Sequence, residues 1–409
     1  MLINYFLFLV MLLLFAGLAL DTGMMQWRAL RLQQAADGTA QEAMYEKARN
    51  NSSWAAAGQA EATQNGFTNG SNGVTVTIAN PPTSGPFIGN SWAVQAKVTQ
   101  TFNNLFMGLI HPGSSSITGT ATAQIMPTCI WIMNTNGVNS NGSLWLLSTQ
   151  MLSNCGVYVD TATGYSLAVD YFARLSAPRI RVVGPASSGA ISSGSISSTP
   201  KYSAANKNDP LAYVTAPTVS SCTYNAVNYS SGTHTLSPGT YCGGITLSKT
   251  TIFLDPGLYI IAGGMNLWDT NMTGTGVTLY FTKTSASPSY ANVVINSDNT
   301  SGLYGVYLKA PTTSANGCIP GVVVFADRNW VTHNSQGVQI TNNKIISDGF
   351  WYLPNTGLSM WIVQFGYYKY NGLVIDNIYQ YSDGSYFNSD YSDLGGVSPL
   401  HYEDGVLVQ

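Results

Sequence analysis

Residues 1–20, MLINYFLFLVMLLLFAGLAL, contain no charge and no proline. Coiled as a helix, the run measures about 30 Å, the hydrocarbon thickness of a bilayer, which predicts a single span. A cleaved secretory signal would need a basic n-region, a short apolar core and a small-residue cleavage site, and none of the three is well met. No Lys or Arg precedes the run, so a leader peptide, where one exists, is expected ahead of this numbering. The helical pattern continues beyond the run. From Asp21 to Arg49 there is no proline, and Met24, Trp27, Leu30, Ala35, Ala36, Ala40, Ala43 and Met44 recur at helical spacing. One helix of about 48 residues, roughly 70 Å long, is expected. Asn50, Asn51, Ser52 and Ser53 break it and offer an N-cap for a second helix that Gly66 closes. The apolar rod suits a membrane anchor with a stalk. It equally suits a polymerisation helix that lies in bilayer before assembly and among identical rods afterwards, because both settings require backbone groups to be satisfied internally. The side chains expected to make those contacts are Phe6, Phe8, Leu9, Leu12, Leu13, Phe15, Leu18 and Leu20.

The period then changes. VTVTI at 74–78, WAVQAKVTQ at 92–100 and SITGTATAQI at 116–125 alternate like half-buried strands, and FNNLFMGLI at 102–110 reads as a short apolar helix. Beyond residue 127 the helix signal vanishes. Short β-branched and aromatic runs alternate with Gly, Ser, Asn and Pro clusters, the all-β pattern. Neighbouring segments also resemble each other. Cys129-Ile-Trp-Ile-Met-Asn134 is echoed by Cys155-Gly-Val-Tyr-Val-Asp160, and Ser143-Leu-Trp-Leu-Leu147 is echoed by Ser166-Leu-Ala-Val-Asp170. SPGTYCGGITL at 237–247 and DPGLYIIAGGMNL at 255–267 repeat a Pro-Gly-x-Tyr core in close succession. A repeat of roughly 20 residues containing several short strands suits the coils of a parallel β-helix. A β-sandwich is the alternative, but it does not require neighbouring segments to be alike. The expected fold is therefore α+β overall: a long helix at 1–50, a small α+β domain at 51–126, and a large β-rich head at 127–409 with an exposed loop or insertion at 185–209.

Five cysteines, at 129, 155, 222, 242 and 318, cannot all pair within one chain. Equivalent positions on adjacent coils lie about 4.8 Å apart, within disulfide reach, so the repeat predicts Cys129 with Cys155. Cys222 and Cys242, close in sequence and flanking a turn-rich segment, are paired as well, and Cys318 is left over. Buried reduced thiols are the competing reading; an oxidising compartment follows if the apolar segment exports what comes after it. No CxxC occurs and no His is close to a cysteine, which argues against zinc.

Composition narrows the function classes. Only 9% of the 409 residues are charged, where an average soluble protein carries about 25%. The formal charge of −3 leaves no basic excess for phosphates, which argues against a nucleic-acid partner. The four glutamates, Glu42, Glu46, Glu61 and Glu403, leave the β region short of general acids. Asp160 and Asp170 end repeated strands and read as solvated turn residues. Asp327, beside Arg328 and six positions before His333, belongs to the one constellation a carbohydrate-active β-helix would use, and reads more simply as part of a surface ion pair. His111, His234, His333 and His401 have no metal spacing, and no metal, cofactor or catalytic motif is found. Aromatics thicken toward the carboxyl end, and the Tyr, Ser, Asp and Gly mixture of 379–395 suits either rung stacking or a contact surface.

GLALDTGMMQWRALRLQQAADGTAQEAM at 17–44, an apolar helix running through Asp-x-Gly into Leu-Gln-x-Ala-Ala-Asp, resembles the start of TadE/TadG-like proteins of the Flp (tight-adherence) pilus machinery. PTCIWI at 127–132, NCGVYVD at 154–160, NDPLAYVTAP at 208–217, SPGTYCGGI at 237–245, DPGLYIIAGG at 255–264, GVTLYFT at 276–282, LKAPTTS at 308–314 and ISDGFWYLP at 346–354 resemble the long TadG-like members. The resemblance implies a membrane-inserted, cell-envelope or extracellular component of a pilus-type filament without enzymatic activity. Its implied partners are copies of itself or other pilus subunits through the amino-terminal helix, with the membrane before assembly, and a glycan or a host or abiotic surface for the head. The chain departs from pilins in having Tyr5 where they often carry a glutamate early in the helix.

Overall fold

The computed structural model describes residues 2–48, 51–104, 106, 113–125, 127–134, 142–162, 165–191, 194–204, 208–298, 305–333, 337–395, 398–400 and 406–408; for 2–7, 10, 14, 188–191 and 406–408 the description is of the backbone alone. Two compact units result, one from Met1–Met126 with His401–Gln409 and one from Pro127–Leu400. The strand Val406–Val408, which the sequence suggests for the head, groups with the first unit.

In the first unit, helix α1 (Leu2–Ala48) runs 47 residues without a break. Leu32, Ala35, Ala36, Thr39, Ala40, Ala43 and Met44 form its buried stripe, spaced three and four apart as one helical face must be. Helix α2 (Trp54–Gln64) packs on that stripe. Gly58 permits the approach, since a Cβ there would lie 2.9 Å from the Ala43 methyl and 3.1 Å from the Thr39 carbonyl. Gly66, at φ +90°, ends the helix: its N–H bonds the Thr63 carbonyl while that of Phe67 bonds Ala62, a Schellman closure with apolar Phe67 folded back. Strands β1 (Val74–Ala79), β2 (Ala93–Asn103) and β3 (Ser114–Gln124) form an antiparallel sheet that Val406–Val408 completes beside β3. The side-chain amide of Gln33 bonds both backbone groups of Thr120 on β3, at 3.0 and 3.3 Å. Phe102 and Asn103 are the end of β2 rather than part of a helix; residues 105 and 107–110 of that expected helix lie outside the described residues.

The second unit is built of parallel ladders in which each strand pairs with the strand one coil on, as a β-helix requires and a sandwich does not. One ladder runs through the strands beginning at Gly239, Gly257, Val277 and Val322, the end of Val338–Leu353, then Asn371–Ile375, Thr128–Ile132, Gly156–Val159 and Ile180–Val182. A second stacks Ile245, Met265, Val293, Val338, Leu358, Ile378, Leu144 and Leu167 in register, and all eight side chains are buried. Such columns of like apolar residues give the continuous core that no single coil could bury. Gln380 interrupts the neighbouring column but is satisfied by the hydroxyls of Thr149 and Ser385, both at 2.9 Å.

The order of the stack is not the order of the chain. The last coil, from Asn371 to Phe387, lies beside the first, which begins at Thr128, so the chain between Ile196 and Val227 must return to the opposite end of the solenoid. Within the expected loop at 185–209, Gly189–Ile191 and Ser195–Ile196 are strands paired to Leu167–Val169 and Arg174–Leu175, so this part is a coil. One corner is turned by a left-handed residue on seven of the coils, at Lys249, Asp269, Asn342, Ile362, Ser382, Ser148 and Tyr171, with φ between +47° and +58°.

Candidate functional site

The most distinctive surface is the amino-terminal half of α1. Phe8, Leu9, Leu12, Leu13, Phe15, Leu18 and Leu20 are all exposed, Phe8 and Phe15 by 67% and 68%, on the same continuous helix whose other half is the core of its unit. The side chain of Phe6 lies outside the description. Among the described residues no helix is long and apolar enough to cross a membrane; with the side chains at 2–7, 10 and 14 outside the description, that statement does not cover the whole run 1–20. Gly17 and Asp21, one turn apart, are buried where Phe106 lies against the helix. A Cβ on Gly17 would sit 2.7 Å from the Phe106 ring, and the Asp21 carboxylate accepts the Phe106 N–H at 2.9 Å.

In the head, Cys129–Cys155 and Cys222–Cys242 are disulfides, each with Cα atoms 5.6 Å apart, and Cys318 is a buried free thiol. The first links successive coils. The second ties the end of the returning segment to the solenoid.

The residues weighed for catalysis take up separate duties. Burial alone would push Asp327 upward, but the Asn329 N–H (2.9 Å) and the Thr282 hydroxyl (2.8 Å) hold its carboxyl below the ordinary value. Arg328 points elsewhere: its Nε donates to the Tyr352 hydroxyl at 2.7 Å and its Nη2 to the carbonyls of Leu211 and Val214 at 2.8 and 3.1 Å. Tyr352 in turn donates to Asp209 at 2.6 Å, and burial, reinforced by that carboxylate, pushes its phenol up. This cluster pins the returning segment across the aromatic column Tyr280, Phe325 and Tyr352 on the outer side of one ladder. Sequence spacing could not show it, because Asp209 and Arg328 are remote from each other along the chain. His333 pairs instead with Asp376 at 3.4 Å.

Asp160 is not a solvated turn residue. It is 2% exposed, and burial raises its pKa to about 7 against a weak 3.4 Å bond from the Tyr158 hydroxyl. Asp170 accepts from the Trp145 indole at 3.2 Å. Among the described residues no group of three or more His, Cys, Asp or Glu could hold a metal ion.

The decisive comparison falls on the helix, where residues 5–49 match the family model described as putative Flp pilus-assembly TadE/G-like. Residues 5–49 are similar to a TadE/G-like Flp pilus-assembly domain. The match spans the exposed apolar rod, the Gly17–Asp21 contact and the buried stripe together, so the TadE/G-like segment is the whole of α1 after its first turn. No curated protein and no solved structure is matched, and the head stands on its own geometry. The match covers 45 of the 409 residues, and for that segment it suggests a Flp pilus-related role at the envelope or surface, among other pilus components.

Proposed function

We propose that the protein is a pilin-like structural subunit of an extracellular pilus-type filament. On this reading α1 sits in the inner membrane before assembly and packs among identical helices afterwards, with the β-helical head exposed outside. The observation that carries it is the division of one helix into a buried stripe from Leu32 to Met44 and an apolar, solvent-facing rod from Phe8 to Leu20. A rod with that much uncovered apolar surface needs a partner along its length, and bilayer and neighbouring rods offer the same chemistry in turn. The scarcity of charge on the chain fits dense packing, since it forgoes the repulsion that keeps soluble proteins apart. Removing residues 1–20 tests the reading against a membrane-anchored assembly factor or adhesin. A filament subunit then releases a soluble folded head and surface filaments disappear. Filaments that persist in normal number with the truncated chain would show that the protein does not polymerise.

A further inference from the structure

Resting on that reading, we infer that the lipid-embedded face of α1 runs from Tyr5 to Trp27 rather than over residues 1–20, and that Phe106 makes this possible by covering Asp21. Placing the bilayer over 1–20 would put Asn4 and Tyr5 in hydrocarbon and leave Met24, Met25 and Trp27 outside it. Moving it toward the carboxyl end makes residue 5 and Trp27 its two margins, about 33 Å apart along the helix and close to the hydrocarbon thickness, with the Trp27 ring in the amphipathic belt where such rings prefer to lie. Trp27 and Leu30 are 60% and 67% exposed, and the Arg31 guanidinium lies 5.4 Å over the Trp27 ring. Arg28 lies 4.0 Å over Phe102. Both cations thus begin at the tryptophan margin, at the level of phospholipid headgroups.

The obstacle is Asp21, which such a span would carry into the apolar layer. The fold removes it. The carboxylate is 2% exposed, bonded to the Phe106 N–H, and the ring of Phe106 lies against the helix in the space that Gly17 leaves by having no side chain. The ring, 42% exposed, thus covers the helix one turn from Asp21, while its own backbone N–H meets the buried carboxylate. Phe106 is therefore a positioning residue for membrane depth, and its partner is the phospholipid bilayer.

The test is cysteine accessibility in the full chain, reconstituted in phosphatidylcholine–phosphatidylglycerol vesicles and probed with a membrane-impermeant maleimide. Probes go at Leu12, at Gly23, where an added Cβ meets nothing within 4 Å, and at Gln34, which lies beyond the margin. The native cysteines are disulfide-bonded or buried. Leu12→Cys and Gly23→Cys should label at least about tenfold more slowly than Gln34→Cys, since water is absent from the core. Protection at 12 with labelling at 23 as fast as at 34 overturns this inference while leaving the membrane reading intact. Fast labelling at 12 as well overturns the membrane reading itself. In Phe106→Ala, exposing the carboxylate should favour the shallower position by about a hundredfold, so that Gly23→Cys becomes reactive. Adding Asp21→Asn to Phe106→Ala should restore protection. Continued protection of position 23 in Phe106→Ala alone, or failure of the neutral double variant to restore it, contradicts the role given to Phe106.

Discussion

Asp160→Asn isolates a single buried carboxyl whose effect on stability has a definite sign. The side chain directly follows the strand Gly156–Val159, is 2% exposed, and among the described residues receives the Tyr158 hydroxyl at 3.4 Å. Burial raises its pKa from an ordinary 3.8 to about 7, the tyrosine bond opposing this in part. Between those values the folded protein holds a proton that the unfolded chain releases, so stability falls as pH rises through the window. The favourable contribution is complete below the unfolded value and is lost above about 7. At 1.36 kcal/mol per pH unit the full difference is about 4 kcal/mol, and relaxation around the ionised group brings the expected figure to about 2–4 kcal/mol. Asparagine keeps an oxygen for Tyr158 and cannot ionise. The variant should match the parent in urea unfolding at pH 4 and exceed its stability by that amount at pH 8. Taking the difference between the two proteins cancels Asp376, which burial also raises. A difference that does not change with pH, or a variant weaker at pH 8, would refute the burial argument.

Three further outcomes are expected. Arg328→Ala removes the donor shared by Tyr352, Leu211 and Val214 and should cost about 2–4 kcal/mol, with limited proteolysis opening first within residues 208–214; cleavage elsewhere first would mean the returning segment is held by other contacts. Ile362→Asn relieves a β-branched residue at φ +53° on an exposed corner, so stability should rise by about 1 kcal/mol and calorimetry should show a higher midpoint; an unchanged or lower one would mean the corner carries no strain. Replacing Cys222 and Cys242 together by serine opens a closure 20 residues long and should cost about 3 kcal/mol in denaturant unfolding, against no loss if the returning segment is fixed without it.

The period of apolar residues was enough to read α1, the three strands of the small sheet and the solenoid class of the head, because each is a local pattern repeated many times. Cysteine pairing was legible for the same reason: Cys129 and Cys155 occupy echoing positions in adjacent coils, where the ladder brings them together. The order of the coils was not legible. Parallel pairing of Asn371–Ile375 with Thr128–Ile132 joins segments from opposite ends of the head's sequence, and nothing in a local repeat says which coil is the neighbour of which. Asp160 looked like a turn residue because it follows a strand and precedes a polar stretch. Its burial comes from the corner between ladders, where Asn134, Thr161 and Asn377 are also buried. The cover over Asp21 was hidden too, since Phe106 reaches it from 85 positions away and the only local sign was Gly17 one turn earlier.

The central claim is that this chain is a filament subunit, and the composition of sheared surface material tests it most directly. Filaments detached by shear and purified should contain the chain by mass spectrometry, and antibodies to the 127–400 head should label them at intervals along their length in electron micrographs. Recovery of the chain only from detergent-extracted membranes, with unlabelled filaments, would contradict the account.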